Sequence, residues 1–164
     1  EAGVDRVVVV PPSWPGDRND YALEAAKRYP NRFGVMGRIA LEKPESAALL
    51  PKWKEQPGML GIRLTFQREQ VAMLQHADWI FPAAEKAGVP LMFFAPDNLP
   101  RFATIAEKHP GLALIIDHMG LTAEIAKEGR TKSAIDEVVK LAKYPNVSVK
   151  VSSSVRGRGR SMWR

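Results

Sequence analysis

The chain contains no cysteine. That absence excludes disulfides, thiolate metal sites and cysteine nucleophiles, and it fits a reducing compartment, so the expected location is cytoplasmic. No apolar run approaches the roughly 20 residues needed to cross a bilayer. The first residues, Glu1-Ala2-Gly3-Val4-Asp5, lack the basic and apolar regions of a secretory signal. There is no Walker loop and no Gly-x-Gly-x-x-Gly fingerprint, so nucleotide binding has little support. Gly157 and Gly159 lie in no helix-opening context. Ser13 lacks a Gly-x-Ser-x-Gly elbow, and Pro11-Pro12-Ser13 reads as a loop-shaping element rather than a nucleophile site.

Acidic residues are missing from the last thirteen positions. Residues 152–164 carry Arg156, Arg158, Arg160 and Arg164 with no Asp or Glu, and so hold four of the six net positive charges. The body, residues 1–151, is close to neutral. A nucleic-acid reading therefore rests on the tail alone and is the weakest of the readings. The tail shows neither helical nor strand periodicity. It reads as an irregular basic segment, frameshifted or disordered, appended to one α/β domain over residues 1–151.

What is present is a series of short apolar runs with the look of fully buried strands: Arg6–Val10, Phe33–Ile39, Leu60–Thr65, Pro90–Phe94, Leu112–Ile116 and Val147–Val151. Their starts recur roughly every 22–35 residues, the spacing of βα units. Between them, helical spacing of apolar residues predicts helices over Tyr21–Arg28, Pro44–Lys54, Asp78–Ala87, Leu99–Lys108 and Ser133–Lys143, with Pro51 interrupting the second. Asn19 or Asp20 is the expected cap of the first.

Three helix-to-strand joins share one plan. In Lys27-Arg28-Tyr29-Pro30-Asn31-Arg32-Phe33, Lys108-His109-Pro110-Gly111-Leu112 and Lys143-Tyr144-Pro145-Asn146-Val147, a basic residue closes the helix, Pro stops it, and a strand follows. Ala2-Gly3-Val4 also echoes Ala87-Gly88-Val89, where a helix ends and a strand opens. By that echo, and without an initiator Met, the chain is expected to start in the last turn of a helix belonging to preceding sequence.

Six parallel units fit either an open doubly wound sheet or part of a (β/α)8 TIM barrel, and the second is the expectation. Chemistry in either lies at the carboxyl ends of the strands. The polar residues there are Ser13, Arg63, Gln67, Asp97, Asp117 and His118. A long apolar run, Leu112–Ile116, ends directly in Asp117-His118. Its imidazole can move a proton near neutral pH, ligate a metal, or simply hydrogen-bond the rim. Arg63 is a cation inside an apolar strand. It serves either a substrate carboxylate or an internal ion pair, with Asp117 as a partner. Arg38 can reach the mouth or the opposite rim. His76 and His109 read as solvent-facing.

The residues Gly3-Val4-Asp5-Arg6-Val7-Val8-Val9-Val10-Pro11-Pro12-Ser13, Gly16-Asp17-Arg18-Asn19-Asp20, Tyr29-Pro30-Asn31-Arg32-Phe33, Pro57-Gly58-Met59-Leu60-Gly61-Ile62-Arg63 and Ile115-Ile116-Asp117-His118-Met119-Gly120 together resemble the amidohydrolase-related family (amidohydrolase family 2) of TIM barrels, in its lactonase-like branch. The resemblance covers residues 1–151. It implies hydrolysis of a lactone or similar carboxylate-bearing ring compound, with decarboxylation as the nearest enzymatic rival. By resemblance, His118 matches the histidine ending the sixth barrel strand, a catalytic and metal-binding position. Arg63 is similar to an arginine that binds substrate carboxylate. A divalent metal such as zinc is implied, although some lactonase-like relatives work without one.

The family pattern opens with His-x-His on the first strand and closes with an Asp on the eighth. Neither stands in this chain, so it is expected to be the middle of a barrel, inactive and poorly stable by itself. Leu91-Met92-Phe93-Phe94-Ala95-Pro96 also lacks the histidine that some relatives carry after the fifth strand. The partners implied are a small carboxylate or lactone substrate, no membrane, and a homo-oligomer as an open question. A small non-catalytic open-sheet binding domain is the alternative from another class.

Overall fold

The computed structural model describes residues 3–66, 77–96 and 98–152. His76, Gln67, Asp97 and the tail beyond Ser152, all singled out above, lie outside the described residues. Six strands, β1 (Val7–Val9), β2 (Phe33–Gly37), β3 (Met59–Thr65), β4 (Leu91–Phe94), β5 (Leu114–Ile116) and β6 (Val147–Val149), form one sheet in the order β1-β2-β3-β4-β5-β6. Every neighbouring pair is parallel. The order never reverses, so there is no switch point of the doubly wound kind.

Five α-helices connect or follow the strands: α1 (Asp20–Arg28), α2 (Ile80–Ala87), α3 (Leu99–Lys108), α4 (Ala123–Lys127) and α5 (Thr131–Val139). The expected helix at Pro44–Lys54 is instead a tighter 3-10 run, Pro44–Glu55. Pro51 has no N–H to give an α-helical ladder, and its ring crowds the preceding turn. The expected helix Ser133–Lys143 is α5 followed by a 3-10 turn, Lys140–Lys143.

One hydrophobic core joins α1, the 3-10 run, α2, α3 and α5 to one face of the sheet. It gathers Ala22 and Ala26 of α1, Leu50 and Trp53 of the 3-10 run, Ile80, Phe81 and Ala84 of α2, Phe102 and Ile105 of α3 and Val138 of α5. These pack on Val35, Ile62, Leu64, Leu91, Phe93, Leu114 and Ile116. Helices on a single face of a sequentially ordered parallel sheet are the geometry of a curving β/α barrel, here six units of one. The opposite, inner face carries Met36, Met92 and Phe94, buried but outside that core cluster.

Two glycines make the helix–strand joins work. Gly88 ends α2 at φ 61°, and its N–H and that of Val89 return to Glu85 O and Ala84 O, at 3.1 and 2.9 Å. Only glycine takes that left-handed cap without strain. Gly58 opens β3 at φ 84°, where a Cβ would stand 2.5 Å from Ala26 Cβ. The third join is completed by Asn146, whose Nδ2 donates to His109 O at 3.0 Å and Leu112 O at 3.1 Å. Asn146 thus ties the start of β6 to carbonyls at the end of α3 and in the loop after it.

Both edges of the sheet are open among the described residues. Val7 and Val8 on β1, and Val149 on β6, are exposed.

Candidate active site

Alternation along the strands decides what faces the inner side. On β3, Ile62 and Leu64 face the helices, so Arg63 and Thr65 face inward. On β4, Phe93 packs with Phe81 and Phe102 of the helix layer, so Phe94 faces inward beside Arg63. Beyond β5, Asp117 continues the inward set, and beyond β6 so does Lys150.

These side chains converge. Arg63 Nε and Nη2 donate to Asp117 Oδ2 at 3.2 and 3.0 Å, and Nη1 bonds Thr65 Oγ1. Lys150 Nζ donates to the other oxygen, Oδ1, at 2.8 Å. Asp117 is only 1% exposed and Arg63 14%. A carboxylate so buried survives as an anion because two cations flank it. Burial pushes the Asp117 carboxyl upward, but the Lys150 hydrogen bond and the charges of Arg63, His118 and Lys150 outweigh it, and the group titrates below the ordinary carboxylate range. The Arg63 guanidinium also rests over the Phe94 ring, 5.6 Å from its centroid. Of the two partners expected for Arg63, the internal one, Asp117, is in place.

His118 stands next in the chain, on a turn that sequence periodicity did not reveal. His118 and Met119 both adopt left-handed backbone, φ 54° and 56°, and Gly120 follows at 65°. For non-glycine residues this costs of order 1–2 kcal/mol each. The Lys150 backbone holds the turn on both sides: its N–H donates to Ile116 O at 2.8 Å and its carbonyl accepts from Met119 N–H at 3.2 Å.

The turn aims the imidazole at the inner rim, edge-on to Phe94 with ring centroids 5.3 Å apart. Nδ1 lies 2.5 Å from Ser152 Oγ, and Nε2 lies 3.4 Å from Asp117 Oδ2. Burial holds the His118 pKa below its ordinary value. Asp117 opposes that shift, while Lys150 and Arg63 add to it. The imidazole is therefore neutral near pH 7, suited to hydrogen bonding or to accepting a proton.

Arg38 follows β2 directly. Its backbone is clamped by the Asn19 side chain: Arg38 N–H donates to Asn19 Oδ1 at 2.7 Å, and Asn19 Nδ2 donates to Arg38 O at 2.9 Å. Asn19 was expected to cap α1, but its side chain makes no cap hydrogen bond and is committed to this clamp instead. His109, expected to face solvent, is half-buried: its Nδ1 pairs with Glu85 Oε2 at 2.9 Å. Glu85 also accepts from Gly111 N–H at 2.8 Å, which ties α2 to the loop after α3. Ser13 sits in the loop after β1, accepting from Gly16 N–H at 3.0 Å.

Lys150 and Ser152 are the site residues that sequence reasoning passed over. The signal for Lys150 was the one that exposed Arg63, a cation within an apolar strand.

The sequence matches the family described as Amidohydrolase over residues 1–161. The chain belongs to the amidohydrolase family. A curated relative, L-fucono-1,5-lactonase from Burkholderia ambifaria, is 28% identical over 160 residues, covering 92% of this chain and 53% of the relative. The chain thus spans about half the length of the curated relative it matches. Among solved structures, an amidohydrolase from Burkholderia multivorans superposes with a TM-score of 0.76 at 19% identity, over 96% of this chain and 59% of that one. A zinc-bound crystal form of that protein gives 0.71. The 5-carboxyvanillate decarboxylase of Novosphingobium aromaticivorans, complexed with manganese, gives 0.58 at 20% identity, over 93% of this chain and 60% of that one. At such identities the shared property is the barrel fold.

A divalent metal is plausible in such a barrel, but the described residues of this amidohydrolase chain do not hold one by themselves. They contain no group of three or more His, Asp or Glu placed to do so. A protein site needs about three ligands. His118 offers one nitrogen, and both Asp117 oxygens are already taken by Arg63 and Lys150. No helix among the described residues is long and apolar enough to cross a membrane.

Proposed function

We propose that the full-length protein carrying this chain opens a lactone, or a similar ring ester, that bears a carboxylate. The observation that carries this reading is a neutral imidazole, His118, fixed at the strand ends beside the buried Asp117 and its partners Arg63 and Lys150. The likeness to a lactonase supports it.

In the proposed reaction, water adds to the lactone carbonyl carbon and the ring C–O bond breaks. The proton released by water ends on the departing alkoxide. With Ser152 Oγ–H donating to Nδ1, the imidazole proton rests on Nε2, which donates to the carbonyl oxygen. That bond strengthens as negative charge develops, so it stabilises the transition state more than the substrate. Asp117 Oδ2 lies 3.4 Å from Nε2, too long to compete strongly for its proton, and its charge is balanced by Arg63 and Lys150. Arg63, with five N–H groups of which three serve Asp117 and Thr65, keeps two to orient a substrate carboxylate. A base outside the described residues, where the family resemblance expects an Asp, takes the proton from water. Zinc, the ion in the Burkholderia multivorans crystal, would find one donor here, His118, and would draw its other ligands from beyond the described residues. In this reading residues 1–151 form the central barrel and 152–164 a basic tail.

The test is a panel of carboxylate-bearing lactones offered to the full-length protein and to its His118→Ala form. Loss of one hydrogen bond to the developing oxyanion lowers kcat by about 100- to 1000-fold. Unchanged ring opening in the variant would overturn the reading. Release of carbon dioxide from an aromatic acid, with every lactone left intact, would replace it with decarboxylation.

A further inference from the structure

The Arg38 guanidinium is incompletely satisfied among the described residues. Its Nε and Nη1 atoms are buried and have no hydrogen-bond partner among the described residues. The side chain is 15% exposed, and the carboxylate facing it, Asp17 Oδ1, stays 3.9 Å from Nε and is itself 38% exposed. This is attraction without a hydrogen bond. A buried cation with unmet donors is costly, and such a group persists where something else completes it.

Register tells which way it faces. Gly37 of β2 pairs with Ile62 of β3, so one step further sets Arg38 beside Arg63. Val35 and Ile39 belong to the helix-facing core, while Met36 lies buried outside it, and Arg38 alternates with Met36. Arg38 and Arg63 are therefore lateral neighbours on the inner face, separated by about one strand spacing at the backbone. Their difference is occupancy. Arg63 spends three N–H groups on Asp117 and Thr65, whereas Arg38 has buried donors to spare.

Charge agrees with the geometry. Burial lowers the affinity of Arg38 for its proton; Asp17 opposes this and the neighbouring Arg63 charge reinforces it. Three cations, Arg38, Arg63 and Lys150, meet two carboxylates, Asp117 and the part-exposed Asp17. Among the described residues, these cations outnumber these carboxylates by one.

We propose that Arg38 is a further substrate-binding residue, which takes a carboxylate of the substrate on its guanidinium at the β2 side of the Arg63–Asp117 cluster. The proposal rests on the reading of this face as the substrate site and deepens it. A guanidinium suits a carboxylate because two parallel N–H groups match its two oxygens. The Asn19 clamp on the Arg38 backbone fixes the origin of that fork.

Binding tests this without turnover. Malonate, and the neutral malonamide as its uncharged counterpart, are titrated calorimetrically into the full-length protein and its Arg38→Met and Arg38→Lys forms. Malonate binding is expected to weaken about 10- to 100-fold in Arg38→Met, the scale of lost charge-assisted bonds, with malonamide unchanged. Arg38→Lys keeps the charge and loses the fork, so it too binds malonate more weakly. Absence of malonate binding by the unaltered protein would overturn the proposal. So would malonate binding unchanged in Arg38→Met or, if that variant does not fold, in Arg38→Lys. Should no lactone be opened, the hydrolase reading fails alone, and the malonate measurement still judges Arg38.

Discussion

Arg63 and Asp117 stand 54 positions apart in the chain and 3.0 Å apart in space. Neighbouring strand β4 lies between their strands, so the pair reaches across it over the Phe94 ring. Removing the acid strands two cations, because Lys150 leans on the same carboxylate. Asp117→Ala is expected to cost about 3–5 kcal/mol, the scale seen when one member of a buried ion pair is deleted. Urea denaturation of both proteins checks this. A loss under about 1 kcal/mol would place the cluster with ordinary surface pairs.

The same carboxylate predicts an acid-sensitive fold. Its folded-state pKa lies below the ordinary value of 3.8. Such a group contributes stability above that value and loses it as pH falls through the folded pKa, since the unfolded chain binds the proton more readily. The urea midpoint should therefore drop on acidification through the carboxylate range. In Asp117→Asn that drop should be shallower, and equal slopes would refute the assignment.

Asn19 and Asn146 each hydrogen-bond backbone groups of a distant segment. Replacing either by Ala should cost about 1–3 kcal/mol, the penalty for buried polar groups left unpaired. Asn31, the sequence counterpart of Asn146 in an earlier join, offers the control. It is exposed, and its replacement should change the thermal midpoint little.

Gly58 is closed to any side chain. Ala there adds a Cβ 2.5 Å from that of Ala26 and must hold φ at 84°. Strain and clash together should cost more than about 2 kcal/mol. Gly88→Ala has the strain alone, with nothing within 4 Å of the added Cβ, and should cost about 1 kcal/mol. Thermal melts of the two variants side by side would show whether that ranking holds.

Much of this architecture could be read from the residues. The apolar runs located all six strands to within a few positions, because strands of a parallel sheet read as near-continuous apolar runs, even β1 and β6, which are exposed here. Arg63 and His118 stood out because charge is costly inside such runs. The left-handed turn at His118 and Met119 left no trace, since neither residue type announces positive φ. It is imposed by the Lys150 backbone from the next strand, a tertiary constraint. The Asn19 side chain was misread for a similar reason. Its local use as a helix cap lost to a distant backbone, that of Arg38, which offers both a donor and an acceptor. His109 was taken for a surface residue because its partner, Glu85, lies 24 positions earlier on another helix.

The strand order has a kinetic corollary. Each strand bonds only to those before and after it in the chain, so every pairing closes one short crossover and none waits for distant segments. Within the described residues, each unit can therefore dock on the one before it. Lys150, just past β6, bonds both Asp117 and the His118 turn. The chemistry-bearing corner therefore takes shape only once β6 has docked on β5.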